Sequence, residues 1–310
     1  MTPGVKYVRA STSDHDAIGF FYPISGVVGD IEHFVSPTFG ANYKISPNLA
    51  AYAAFGRNIK FPDITAYYGG FQTDINGNPA VVPVTGVKPE YVNDFELGAR
   101  WQMAGYSASL NYYRENFTNT FINSFSSTTG LTSVTNGGSA RYQGEELQIN
   151  ARLADLDSGS WETHLNYSHN QAIFLGSFTT YAGATVAAGQ PLADVPKDLA
   201  SLQLTWSFAG WRATTEARYI GTQFIDQLSA GTPTANTISP HTLVDISLAK
   251  TLEFPGSALR SVRFALNVDN LFNKYYFNEA FTDVDFNNNN FVRAVPGAPR
   301  IVIGTVDVKF

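Results

Sequence analysis

Leu199 to Phe208 reads L-A-S-L-Q-L-T-W-S-F, and the alternation in that stretch decides the fold. Ala200, Leu202, Leu204, Trp206 and Phe208 fall on one face, while Ser201, Gln203, Thr205 and Ser207 fall on the other. A period of two belongs to a pleated strand, whose successive side chains leave on opposite sides. Ala209-Gly210 follows, then Trp211, so a tight turn sends the chain straight back into a second strand. The same rhythm recurs outward in both directions. Phe95, Leu97, Ala99 and Trp101 alternate with Asp94, Glu96, Gly98 and Arg100. Leu147, Ile149, Ala151 and Leu153 alternate with Glu146, Gln148, Asn150 and Arg152, and Val262, Phe264, Leu266 and Val268 with Arg263, Ala265, Asn267 and Asp269. About twelve strands are expected, near 3–11, 36–45, 49–57, 91–102, 106–121, 139–153, 160–172, 198–208, 211–223, 240–251, 260–270 and 299–309.

The connections between these strands alternate in length. Short ones lie near Ser46–Asn48, Met103–Gly105, Ala154–Gly159, Ala209–Gly210 and Leu252–Leu259. Long ones span about 12–35, 58–90, 122–138, 173–197, 224–239 and 271–298. Short turns at one end and long loops at the other mark an antiparallel transmembrane barrel. A soluble sandwich has no reason to sort its loops in this way. All four tryptophans sit beside short turns: Trp101, Trp161, Trp206 and Trp211. Indole prefers the headgroup level, with its ring in the apolar layer and its N–H toward water, so the short turns are expected at one membrane surface.

Composition agrees. Of 310 residues only 15% are charged and 14% are aromatic, yet the mean hydropathy is -0.10. A wall with one apolar face and one polar face has this balance, whereas a soluble domain carries nearer a quarter charged residues. No apolar run reaches the roughly 18 residues of a membrane-spanning helix. Cysteine is absent, which removes disulfides, thiolate metal sites and thiol nucleophiles. A net charge of -6 without a basic block argues against a nucleic-acid partner. Met1 to Ser11 lacks the apolar core of a secretory signal, so the chain is expected to be a piece of a longer protein.

Asn267 to Tyr276, N-V-D-N-L-F-N-K-Y-Y, resembles the N-L-F-D-K-x-Y signature of TonB-dependent receptors; Asn270, Leu271, Phe272 and Tyr275 are taken as its residues, with Asn273 in place of the usual Asp. Pro296 to Phe310, P-G-A-P-R-I-V-I-G-T-V-D-V-K-F, resembles the family's P-G-x-P-R element before a last strand ending in Phe, through Pro296, Gly297, Pro299 and Arg300. Weaker echoes are Ser36–Pro62, the E-x-G-x-R strand of Tyr91–Arg100 and the G-x-E-x strand of Gly144–Leu147. The resemblance runs over residues 1–310, the barrel domain alone. It implies an all-β, antiparallel transmembrane barrel, of which this chain would be the C-terminal half of about 22 strands. The plug domain of the family has no counterpart in residues 1–310, so the TonB complex would be reached only through that missing part. Val306, Val308 and Phe310 resemble the C-terminal signal read by the barrel assembly machinery. The implied setting is outer-membrane lipid of a Gram-negative bacterium. The implied task is uptake of a scarce solute, a ferric siderophore first, otherwise cobalamin, haem or an oligosaccharide.

No catalytic constellation emerges. His164, Asn166 and Ser168 share one face of a strand, but that face is the polar one, opposite Thr163, Leu165 and Tyr167, and reads as lumen lining. His15, His33, His169 and His241 are scattered, with no ligand spacing, and no metal site or cofactor is expected. Asp283–Asn290, D-V-D-F-N-N-N-N, lacks the Gly and terminal Glu of a calcium loop. Tyr67, Tyr68, Phe71 and Tyr181, in long loops, and Arg57, beside one, are candidate contacts for an iron chelate or similar ligand. The alternative to a receptor is a self-contained twelve-strand pore, which requires the strand near 2–11 to pair with 299–310.

Overall fold

The computed structural model contains twelve long strands in chain order: β1 (Thr2–Asp16), β2 (Gly26–Ser46), β3 (Leu49–Lys60), β4 (Glu90–Met103), β5 (Tyr106–Thr118), β6 (Ser139–Leu156), β7 (Gly159–Phe174), β8 (Asp198–Phe208), β9 (Trp211–Ile220), β10 (His241–Glu253), β11 (Ser261–Asp269) and β12 (Ile301–Lys309). The structure describes every residue outside 17–25, 64–69, 83–85, 127, 157, 180–184, 227–235 and 285–289, and no helix occurs among the described residues. Each strand pairs with the next, antiparallel throughout, in one sheet without crossovers. β1 pairs only with β2 and β12 only with β11, so the sheet is open at both edges. The pairing that a closed twelve-strand pore requires is not made.

All twelve expected strands are present. The first long connection, expected over 12–35, is a correction: β1 runs on to Asp16 and β2 begins at Gly26, with Asp16 opposite Gly26. Likewise the turn expected at Ala154–Gly159 is mostly strand, since Leu156 already pairs with Gly159. Ala209-Gly210 is a two-residue turn, where φ is 47° and 79°. Two positive φ values in succession match the right-handed twist of the flanking strands, as in a type I′ hairpin.

Register carries one apolar stripe across the whole sheet. Leu165 lies opposite Ile149 on one side and Leu202 on the other, and Phe264 lies between Lys250 and Val306. Among the described residues no second layer covers this face: Leu202 is 50% exposed and Val306 60%. A continuous band of exposed apolar side chains on one face of a sheet is the pattern of a membrane-spanning wall. On β7 the outward residues run Trp161, Thr163, Leu165, Tyr167 and then His169, which meets Asp198. The switch to charge after Tyr167 marks the upper edge of the apolar band. At the short-turn end Trp161 and Trp206 sit opposite one another, ring centroids 6.4 Å apart, and Trp206 Nε1 donates to the Ser158 carbonyl at 2.8 Å.

The buried core lies elsewhere. Beyond the apolar band the described residues of the long connections form five two-stranded hairpins: Gly70–Thr73 with Pro79–Val82, Phe121–Phe125 with Thr132–Asn136, Phe178–Thr179 with Thr185–Val186, Gln223–Phe224 with Thr237–Ile238, and Phe277–Val284 with Asn290–Pro296. Ile122, Ala140, Ala172, Phe174, Val186 and Leu192 form a buried cluster there. Ile225, Ile238 and Ala280 form a second.

Candidate functional site: the lumen face and its canopy

The polar face of the sheet holds side chains that hydrogen-bond from strand to strand. Tyr52 Oη donates to Asn111 Oδ1 at 3.1 Å, and Asn111 Nδ2 donates to Glu146 Oε2 at 3.2 Å. Asn150 Nδ2 donates to Ser107 Oγ at 3.0 Å and its Oδ1 meets His164 Nδ1 at 2.7 Å, an acceptor that puts the imidazole proton on Nδ1. Asn166 donates to Ser201 Oγ at 3.2 Å. Farther along, Arg218 pairs with Asp245 at 2.5 Å and Arg263 with Asp307 at 3.0 Å. His164, Asn166 and Ser168 therefore lie on the lumen face, as the parity of β7 requires. Together Tyr52, Glu96, Arg100, Asn111, Glu146 and Asn166 help line a trough of about 900 Å³.

Two motifs find a local cause here. Gly98 is the direct partner of Tyr52, and a Cβ on it would lie 2.5 Å from the Tyr52 hydroxyl and 2.6 Å from the Leu110 carbonyl. The missing side chain lets the tyrosine ring lie across the strand, and the Arg100 guanidinium covers that ring at 4.5 Å. Gly144 is the partner of Tyr113 in the same way, and Tyr113 Oη reaches Asn170 Oδ1 at 2.7 Å. The E-x-G-x-R and G-x-E patterns are thus seats for cross-strand tyrosines.

Higher up, the lumen face turns apolar. Ala140 and Phe174 are opposed in the β6–β7 ladder, both fully buried, and the loop residues Ile122, Val186 and Leu192 close over them. Polar ties join neighbouring loops. The Gln72 side chain donates to the Thr132 carbonyl and accepts from its N–H, both at 2.8 Å, and Asn136 bonds the backbone of Lys88 at 2.7 and 2.9 Å. The result is a connected canopy over the trough. Partial burial and the nearby Glu279 hold the Asp194 carboxyl, in one of these loops, above its ordinary pKa.

Of the candidate ligand contacts, Phe71 sits exposed on a canopy hairpin opposite Val81. Arg57 stands at the upper end of β3 with its guanidinium over both Phe34 and Tyr91, at 5.6 and 5.3 Å. Tyr67, Tyr68 and Tyr181 lie outside the described residues, as does the centre of the Asp283–Asn290 stretch. The signature residues cluster at the neck between β11 and β12. Asn270, 4% exposed with φ 50°, accepts from Lys274 N at 2.7 Å and donates to the carbonyls of Lys274 and Ala298 at 2.9 and 3.0 Å. Its own N–H donates to Asp245 at 2.7 Å, and Asn273 Oδ1 accepts from Arg300 N at 3.0 Å. Gly297 packs against Tyr276, where a Cβ would lie 2.0 Å from the ring. Sequence reasoning recognised these residues by pattern, and their bonding gives them a structural task. It did not anticipate the canopy core.

An up-and-down sheet, apolar without and polar within, with its loops gathered at one end, is the wall of a transmembrane β-barrel. The family model "TonB dependent receptor-like, beta-barrel" matches residues 1–271, and the chain belongs to that family. The family is one of outer-membrane receptors in Gram-negative bacteria. Solved structures with the same fold include the copper transporter OprC (18% identity, 99% of this chain, TM-score 0.70), the ferric yersiniabactin uptake receptor FyuA from Yersinia pestis (18%, 99%, 0.66) and the ferric citrate transporter FecA (18%, 97%, 0.67). The chain spans 44%, 43% and 41% of those proteins respectively. No curated sequence matches it.

Proposed function

We propose that this chain is part of the wall and canopy of an outer-membrane receptor that captures a scarce metal chelate, a ferric siderophore foremost, for uptake driven by TonB. The observation that carries the reading is the canopy: loops tied by a shared apolar core stand over a polar trough wide enough for a large solute. In this reading residues 1–310 form the C-terminal half of a barrel of about 22 strands, and a plug supplied by the rest of the protein meets TonB. Val306, Val308 and Phe310, on the outward register of β12 and beyond it, would address the strand to the assembly machinery. Tyr67, Tyr68, Phe71, Tyr181 and Arg57 would touch the chelate. The barrel does no chemistry; it holds the loops and encloses the plug.

Cells lacking the whole gene test this. Uptake of radio-iron from a panel of chelates should fall for at least one chelate, and restoration should require both the gene and TonB. Unchanged uptake across iron, copper and cobalamin substrates would overturn the reading, as would open conductance by this chain alone in a bilayer.

A further inference from the structure

The lipid-facing wall is not evenly covered. Rows of outward side chains run across the last four strands, and the row Trp211–Lys250–Phe264–Val306 lies just below the row Ala213–Leu248–Leu266–Gly304. Gly304, on the edge strand β12, brings no side chain of its own to this row, and nothing of this chain lies within 4 Å of a Cβ placed there. Leu248, Phe264, Leu266 and Val306 stand around that gap and enclose an apolar groove of about 500 Å³. The groove therefore opens onto the hydrocarbon layer. Its short-turn end is different. Lys250 lies on the outward register, over the Trp211 ring at 5.1 Å, and its Nζ bends to the Ala209 carbonyl at 2.6 Å, in the turn. Among the described residues its ammonium meets no carboxylate within ion-pair distance.

A cation at the interface end of an apolar groove has the two-part character of a lipid molecule. Lysine stems lie along apolar surface while the ammonium reaches the polar boundary, and tryptophan marks the same level. We infer that this groove is a binding site for an anionic glycerophospholipid of the inner leaflet, with one acyl chain laid over Gly304 and the phosphodiester against Lys250. The charge argues for an anionic headgroup: a zwitterionic lipid carries its own ammonium to satisfy the phosphate. A lysine close to an anionic lipid surface is worth about 1 kcal/mol.

The inference rests on the outer-membrane reading, and the experiment separates the two. The complete receptor, purified from outer membranes in mild detergent, is assayed for retained phospholipid by native mass spectrometry, then exchanged into nanodiscs of phosphatidylglycerol or phosphatidylethanolamine. The unaltered protein should hold about one phosphatidylglycerol in preference to phosphatidylethanolamine. Lys250→Gln should lower that preference about fivefold, and Gly304→Leu, which fills the groove from the lipid side, should remove retained lipid of both kinds. Heat-modifiable migration on gels verifies folding. Should Gly304→Leu fail to fold, Lys250→Gln alone decides. Equal retention by folded Lys250→Gln and the unaltered protein overturns the site while leaving the receptor reading intact. So does retention of phosphatidylethanolamine or lipopolysaccharide instead. A protein that does not fractionate with the outer membrane overturns both.

Discussion

The wall and the canopy are made stable by opposite means. Across the apolar band of the wall, large apolar side chains such as Leu165 and Leu202 face outward while polar ones hydrogen-bond from strand to strand on the lumen face, so lipid supplies what a second layer would supply in a soluble protein. The canopy stands in water and must bury its own core, and it does so with Ile122 from one long connection and Val186 and Leu192 from another, clustered with Phe174 at the end of β7. One chain thus uses two solvents. The wall depends on the medium and little on fine packing; the canopy depends on packing and little on the medium.

Truncating a buried canopy ring should have the largest effect. Phe174→Ala removes a fully buried side chain and is expected to cost about 3–5 kcal/mol of local stability, read as faster amide exchange and proteolysis in the loops. The same truncation at Phe95, outward and 41% exposed, should cost far less, because lipid chains refill the space. Equal effects would break the contrast between the regions. Charge reverses the ranking. Leu202→Arg, on the outward face of β8, should cost about 2–4 kcal/mol in urea unfolding from vesicles, while Ser201→Arg on the lumen face should be tolerated. If Leu202→Arg is neutral, the outward face does not meet lipid.

Within the wall, close approach matters at few points. Gly98→Val would drive a side chain into Tyr52 and should cost about 1–3 kcal/mol, measurable as a lowered unfolding midpoint of the full receptor. Gln72→Ala cuts both bonds that tie two canopy hairpins, and about 1 kcal/mol of loop stability should go with them. The smallest effect is electrostatic. The Asp194 carboxyl is raised in the folded loop, so the folded form binds its proton more tightly than the unfolded form. Loop stability should fall as pH rises from 3.8 through that raised value. Asp194→Asn keeps a residue that accepts the local φ of 60° and should remove this contribution to the pH dependence of loop stability.

The wall was legible because its two faces meet two media, and the contrast between Leu202 and Ser201 writes that difference into the sequence with period two. Where both faces meet water the signal fades although the strands continue, which is why residues 12–16 and 26–35 read as loop and are ladder. Canopy hairpins such as Phe121–Phe125 with Thr132–Asn136 escaped notice for the same reason. Their cores join residues from separate loops, as Ile122 and Val186 share one cluster, and no local period encodes that meeting. Gly98 and Gly144 were visible as pattern letters, but only the register shows a tyrosine seated on each.

The neck tied by Asn270 separates inheritance from invention. Because Asn270 bonds both Lys274 and the Ala298 carbonyl, the segment 277–296 leaves the wall and returns to it through one clamped point. Whatever lengthening or exchange of residues occurs beyond that point, β12 arrives beside β11 in unchanged alignment. The hairpin beyond it can therefore change in length or sequence while the seam of the wall keeps its register.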